Sequence, residues 1–164
     1  MWGFLSCPLL YVFFNSCPLG SGAWWSDAHP KNLSEPLPGR VQTNQRAELF
    51  AVIRVLETEP RALQIKTDSQ YVLDGCRRYR HVWAAAGWKK MHNSDLWKRL
   101  HALIEARPGQ LVISKVKGHA TARDVRLGRA TPEDKHGKDA ADALAEAGAA
   151  QHLMLSAGRS TAMQ

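Results

Sequence analysis

Leu63-Gln64-Ile65-Lys66-Thr67-Asp68-Ser69-Gln70-Tyr71-Val72 decides the fold class of this chain. Leu63 to Thr67 alternates apolar and polar residues over a short run, which predicts a strand. Asp68 closes it, and Asp68 or Ser69 can cap a short helix reaching to about Cys76. A strand that feeds directly into a capped helix belongs to α/β architecture. It also leaves a carboxylate at the strand's end, where ligand sites lie in sheets covered by helices.

Reading outward, the same grammar continues. Upstream, Asn44 to Glu57 carries Leu49, Val52, Ile53 and Leu56 at helical spacing, with Thr43 as its cap and Pro60 beyond its end. Asn32 to Arg40 holds Pro36 and Pro38, so it is a loop or at most an edge strand. Gly22 to Ser26 predicts a short strand, and Leu10 to Phe14 a buried one behind an irregular apolar leader. Downstream, Val82 to Trp88 suggests a short helix. Asp95 to Ala106 predicts a clearer one, with Leu96, Leu100, Leu103 and Ile104 on one face. Leu111 to Val116 alternates as a strand. Gly118 to Lys135 is polar and glycine-containing, which predicts a mobile loop. Gly137 to about Gln151 is the last helix. The chain divides into an apolar leader at 1–21 that can supply a first strand, an α/β domain at 22–150, and a C-terminal tail at 151–164.

With 164 residues, 45% hydrophobic and 23% charged, the chain can bury a core as one soluble globular domain. A net charge of +7 favours polyanionic partners, chiefly nucleic acid, without bearing on fold. Cys7, Cys17 and Cys76 have no metal-ligand spacing, and their odd number describes no disulfide framework. They suit a reducing compartment, so an intracellular location, nucleus or cytoplasm, is expected. The uncharged stretch from Met1 to Leu19 lacks the basic start and small-residue cleavage site of a secretory signal. Pro8 and Pro18 interrupt it, against a membrane span.

Three acids stand in separate settings. Glu48 lies in Thr43-Asn44-Gln45-Arg46-Ala47-Glu48-Leu49, Asp68 ends its strand, and Asp142 lies in Asp139-Ala140-Ala141-Asp142-Ala143-Leu144-Ala145. Singly, each reads as a solvated helix charge or a cap. Gathered by the fold, they would form an all-oxygen site for Mg²⁺, a hard cation. Such a site suits phosphodiester cleavage with two metal ions.

These segments resemble ribonuclease H of type 1. So do Thr67-Asp68-Ser69-Gln70-Tyr71-Val72, Gly87-Trp88-Lys89, Asp95-Leu96-Trp97 and Val116-Lys117-Gly118-His119, in the family's order and at family-like spacing. The resemblance covers roughly Gly22 to Ala149. It implies a mixed five-stranded sheet flanked by helices, and Mg²⁺-dependent endonucleolytic cleavage of the RNA strand of an RNA–DNA hybrid, with Mn²⁺ as a substitute. It implies Glu48, Asp68 and Asp142 as catalytic metal ligands and His119 as an aid to proton transfer and product release. Asp139 matches a family acidic position one turn before Asp142, and Lys138 falls where the family often has asparagine. The family also carries a first-strand aspartate. Its nearest counterpart here is Phe13-Phe14-Asn15-Ser16-Cys17, with the neutral Asn15 in the aspartate's place, so no first-strand ligand is assigned.

A hybrid duplex displays ribose 2′-hydroxyls in a wide, shallow minor groove. Asn44, Gln45 and Gln70 flank the acids and can donate and accept hydrogen bonds there; matching family positions contact that groove. Thr43 resembles the residue that holds a DNA-strand phosphate, and equally serves as a helix cap. Arg77 and Lys89, interleaved with Trp83 and Trp88, suit phosphate contact and sugar packing, while the two indoles equally suit the core. The expected partner is hybrid nucleic acid and not a membrane, with the chain a monomer or part of a larger polyprotein. The alternative is a catalytically inactive hybrid-binding module of the same fold.

Overall fold

The computed structural model describes the backbone of residues 10–17 and 19–161, and the side chains of residues 19–154. Among them, β1 (Leu10–Cys17), β2 (Gly20–Trp24) and β3 (Leu33–Pro36) precede α1 (Asn44–Thr58) and β4 (Leu63–Thr67). Then come α2 (Gln70–Asp74), a π-helical turn (Gly75–Tyr79), α3 (Arg80–Ala85), α4 (Ser94–Glu105), β5 (Leu111–Lys115), α5 (Ala122–Arg126) and α6 (Pro132–Thr161). The strands form one sheet in the order β3-β2-β1-β4-β5. The β1–β2 and β2–β3 pairs are antiparallel, and β1–β4 and β4–β5 are parallel. The class is therefore mixed α/β, as the sequence predicts.

Strand alternation assigns the two faces of the sheet. Leu63 and Ile65 of β4, Ala23 of β2 and Ile113 of β5 are buried with Leu49, Val52, Ile53 and Leu56 of α1 and Leu96, Trp97 and Leu100 of α4. The apolar positions read from the sequence are the face that α1 and α4 turn to the sheet. On the opposite face α6 lies against β2. A Cβ at Gly22 would come within 2.5 Å of the Ala141 carbonyl oxygen and the Ala145 nitrogen. The Ser34 hydroxyl donates to the Leu144 carbonyl at 2.8 Å. Glycines in β2 and alanines in α6 therefore let two backbones approach almost without side chains between them.

Several expected boundaries move. The helices expected at Ser69–Cys76 and Val82–Trp88 are parts of one run from Gln70 to Ala85, joined through the π-helical turn. Gly75 in that turn packs against the Trp97 indole, where any side chain would overlap the ring. The run ends before Gly87 and Trp88, both at positive φ (67° and 60°). The stretch expected as a loop from Gly118 to Lys135 contains α5 and the start of α6. Thr121 and Asp124 form a reciprocal capping box that opens α5. At α6, Thr131 Oγ1 accepts from the Asp134 amide at 2.9 Å, with Pro132 in the first helical position. The last helix does not stop near Gln151: it runs through the expected tail to Thr161. No helix among the described residues is long and apolar enough to cross a membrane.

Candidate functional site

Asp68 follows the last residue of β4, the middle one of the three parallel strands β1, β4 and β5. Gly118, in the loop after β5, closes over it: a Cβ there would lie 2.6 Å from Asp68 Oδ2. That loop is tied back to the strand end, because the Val116 amide donates to the Thr67 carbonyl at 2.8 Å. Glu48 arrives from α1 on one face of the sheet, and Asp142 from α6 on the other.

Glu48 is fixed through Ser69. The Ser69 hydroxyl donates to Glu48 Oε2 at 2.7 Å, and its oxygen accepts the Val72 amide at 3.2 Å, capping α2. One buried serine thus orders a helix start and a carboxylate together. Burial pushes the Glu48 carboxyl above its ordinary range; the Ser69 hydroxyl opposes this, the charge of Asp68 adds to it, and Lys138 opposes it.

Lys138 stands among the acids. Its side chain is 1% exposed, and its ammonium donates to Asp142 Oδ1 at 2.7 Å. The same nitrogen lies 3.4 Å from Asp68 Oδ2. Asp68 and Asp142 therefore share a buried cation, and Glu48, held by Ser69, is near enough for the charges of Asp68 and Lys138 to act on its carboxyl, so the fold brings the three acids singled out in the sequence to one region. Their donor set, carboxylate oxygens alone, fits a hard divalent ion. The sequence marked Lys138 only as standing where the family often has asparagine, not as a member of the acidic group. Its helical spacing from Asp142 was legible; its burial was not.

His119 sits at the rim. Its Nδ1 is 4.0 Å from Asp142 Oδ2, with 88% of the side chain exposed. Its φ of 50° is left-handed, a conformation that costs an L-residue roughly 1 kcal/mol or more. Asp139 points away from this group and is paired with Lys135 on the exposed side of α6. Asp27, the acid nearest the first strands in sequence, is exposed and lies 3.2 Å from His136 Nε2. Asn15 lies in β1, opposite Gly22 of β2. The β1–β4 pairing ends at Phe13 opposite Lys66; continued two residues in the same register, it sets Asn15 level with Asp68.

The residues expected to meet nucleic acid divide into two groups. Thr43, Asn44 and Gln45 are exposed at the start of α1, with Thr43 Oγ1 accepting the Arg46 amide at 3.3 Å as the helix cap. Lys89 is also exposed. Gln70 is exposed but occupied, donating to Asp74 at 2.9 Å and accepting from Lys115 at 2.8 Å. Trp83 and Trp88 are half-buried and pack against the core: the Trp83 ring meets Trp97 edge-on at 5.0 Å, and Trp88 meets His101 at 5.5 Å. The Arg77 guanidinium donates to the Ile113 carbonyl of β5.

A second set of metal-capable side chains, His81, His101 and Glu105, brings its ligand atoms within 4.8 Å of one another. The Arg80 guanidinium pairs with Glu105 and lies 3.2 Å from His101 Nδ1, so a permanent cation already sits there.

A mixed sheet with α1 and α4 on one face, α6 on the other, and acids converging at the end of its central parallel strand defines the ribonuclease H-like class of folds. The RNase H family model matches residues 13–150, and this chain belongs to the RNase H family. A Ribonuclease H of Methylobacillus flagellatus is 40% identical over 148 residues, covering 85% of this chain and 86% of that protein. One of Parvibaculum lavamentivorans is 36% identical, covering 82% and 85%. Among solved structures, a type 1 RNase H with the type 2 active-site motif superposes with a TM-score of 0.62 at 22% identity, over 92% of this chain and 76% of the other. A foamy viral protease-reverse transcriptase in complex with dsDNA gives 0.59 at 21% identity, over 85% and 91%.

Proposed function

We propose that this chain cleaves the RNA strand of RNA–DNA hybrids at Glu48, Asp68 and Asp142, with Mg²⁺ as cofactor and Mn²⁺ as its substitute. The observation that carries this is the meeting of Asp68, just past β4, and Asp142 of α6 at one buried cation, Lys138, with Glu48 of α1 held by Asp68's neighbour Ser69. Three carboxylates carry more negative charge than one ammonium balances, and that excess suits a divalent ion. Bound divalent ions, two in the complete form of such a site, would activate water on one side of the scissile phosphate and stabilise the leaving 3′ oxygen on the other. Ser69 holds Glu48 in one orientation for that task. His119, exposed at the rim beside Asp142, would carry a proton between the site and solvent through its ring nitrogens.

Substrate contact falls to the exposed start of α1. Thr43, Asn44 and Gln45 present hydroxyl and amide groups beside Glu48, suited to a minor groove lined with 2′-hydroxyls. Gln70 can join them by exchanging its bonds to Asp74 and Lys115. Lys89, together with the exposed edges of Trp83 and Trp88, is suited to a phosphate backbone. Arg77 contributes charge while its guanidinium braces β5.

The second reading, a hybrid-binding module without catalysis, is favoured by two observations: Asn15 at the register position of Asp68, and a lysine inside the acidic group. One assay separates the two. A labelled hybrid is incubated with the native chain and with Asp68→Asn, in Mg²⁺ and in Mn²⁺. Cleavage by the native chain and none by Asp68→Asn is the expected result. Hybrid retention without cleavage in either metal would replace the nuclease with the binding module.

A further inference from the structure

Lys138 holds an unusual position for a lysine. Its side chain is almost fully withdrawn from water, although a lone ammonium is costly to bury. What compensates it is on the page: Asp142 one helical turn along α6 at 2.7 Å, Asp68 across at 3.4 Å, and Glu48 close enough to feel its charge. The ammonium therefore takes up one oxygen of each of two carboxylates that a divalent ion would need.

We propose that Lys138 is a resident cation of the acidic site, and that a divalent ion binds only by displacing its ammonium from Asp68 and Asp142. This rests on the reading of Glu48, Asp68 and Asp142 as metal ligands. The consequence is a built-in threshold for metal. At low divalent-ion concentration the protein's own ammonium balances part of the acids' charge; loading requires the ion to outcompete that attached charge. Opposite charges at these distances attract strongly at a partly buried site, so the competition is substantial.

The test measures metal binding directly. Mn²⁺ is titrated into the metal-free full chain and followed by electron paramagnetic resonance of the free ion. Four proteins are compared: native, Lys138→Met, Lys138→Arg and Asp68→Asn. Lys138→Met keeps the stem without the charge and should bind Mn²⁺ at least about tenfold more tightly than the native chain. Lys138→Arg keeps the charge and should stay close to native. Asp68→Asn should bind more weakly. Equal affinity for native and Lys138→Met, with Asp68→Asn weakened, overturns the resident cation and leaves the metal ligands standing. Binding that none of the substitutions alters overturns both. Should Lys138→Met not fold, the native chain decides: the Lys138 ε-methylene NMR signals should move on saturation with Mg²⁺, and signals that stay fixed overturn the proposal.

Discussion

Replacing Gly22 by alanine tests how α6 is held against the sheet, and through it how Asp142 reaches the site. The new Cβ would stand 2.5 Å from the Ala141 carbonyl oxygen and the Ala145 nitrogen, and 2.9 Å from the Leu144 carbonyl carbon. All three are backbone atoms, so no side chain can swing aside. Relief to even 3.0 Å, the closest approach that Cβ atoms show, needs α6 to retreat by at least about 0.5 Å. Overpacking of this kind costs about 1–3 kcal/mol, and a rigid helix belongs at the upper end. Loss of glycine's chain entropy returns about 0.5–1 kcal/mol, leaving a net loss of roughly 2 kcal/mol. Asp142 directly follows Ala141, so it moves with the helix, and a displacement approaching 1 Å lowers a positioned reaction by about 10- to 100-fold. Urea denaturation and hybrid cleavage on the same preparation measure the two effects. Gly39→Ala is the control: its φ is 90° with nothing within 4 Å, so it should cost about 1–2 kcal/mol of strain and leave cleavage unchanged. Gly22→Ala with parental stability and parental cleavage would refute the reasoning.

Asn15→Asp should raise Mg²⁺-dependent cleavage by about tenfold or more, because it adds a charge at the register position of Asp68. The native chain should work better in Mn²⁺ than in Mg²⁺; full native activity in Mg²⁺ with no gain from Asn15→Asp would show that three carboxylates suffice. Glu59, fully buried against Arg61 and Lys31 at 2.7 and 2.8 Å, has its carboxyl held down to about 2, mainly by the Arg61 hydrogen bond. Its stabilisation is therefore present above the ordinary value of 4.5 and lost as pH falls toward 2. Glu59→Gln should cost on the order of 2 kcal/mol at neutral pH, allowing for the exposed Arg61, and the difference should close near pH 2 in urea midpoints. Asn44→Ala and Gln45→Ala should each weaken hybrid binding by about 1 kcal/mol in equilibrium titrations, with less effect on duplex DNA; equal losses on both would speak against groove readout. Lys89→Ala should weaken both and lower the salt slope by about 0.9.

What was legible in the sequence was what periodicity and local chemistry carry. The alternation at Leu63 to Thr67 and the spacing of Leu49, Val52, Ile53 and Leu56 set β4 and the buried face of α1, and the caps at Thr43 and Ser69 are in place. The three acids could be named because each sits in a local motif. The run from Gln70 to Ala85 was less legible, since its continuity depends on Trp97, far along the chain, filling the space beside Gly75. The start of α6 was missed, because Thr131-Pro132-Glu133-Asp134 lies in a polar stretch that reads as a loop. Its full length was not legible either, because beyond Gln151 the apolar residues Leu153, Met154 and Leu155 fall together and not at helical spacing. Nor could the sequence say that Lys138 is buried: a lysine in a charged helix is ordinarily in water, and only the folded chain sets its ammonium between Asp68 and Asp142.

Lys138 and Asp142 share one helix, a single turn apart, and this bears on how the chain assembles. Glu48 and Asp68 lie on earlier elements, so they can face each other before α6 docks. An acid arriving alone would meet two like charges. Instead α6 delivers its acid together with a base that pairs with both it and Asp68. The last helix thus brings its acid in with the opposite charge already one turn away, which removes the repulsion Asp142 alone would meet. The acidic edge becomes complete in one late step, so a chain still emerging from synthesis carries no finished site until its last helix has closed over β2.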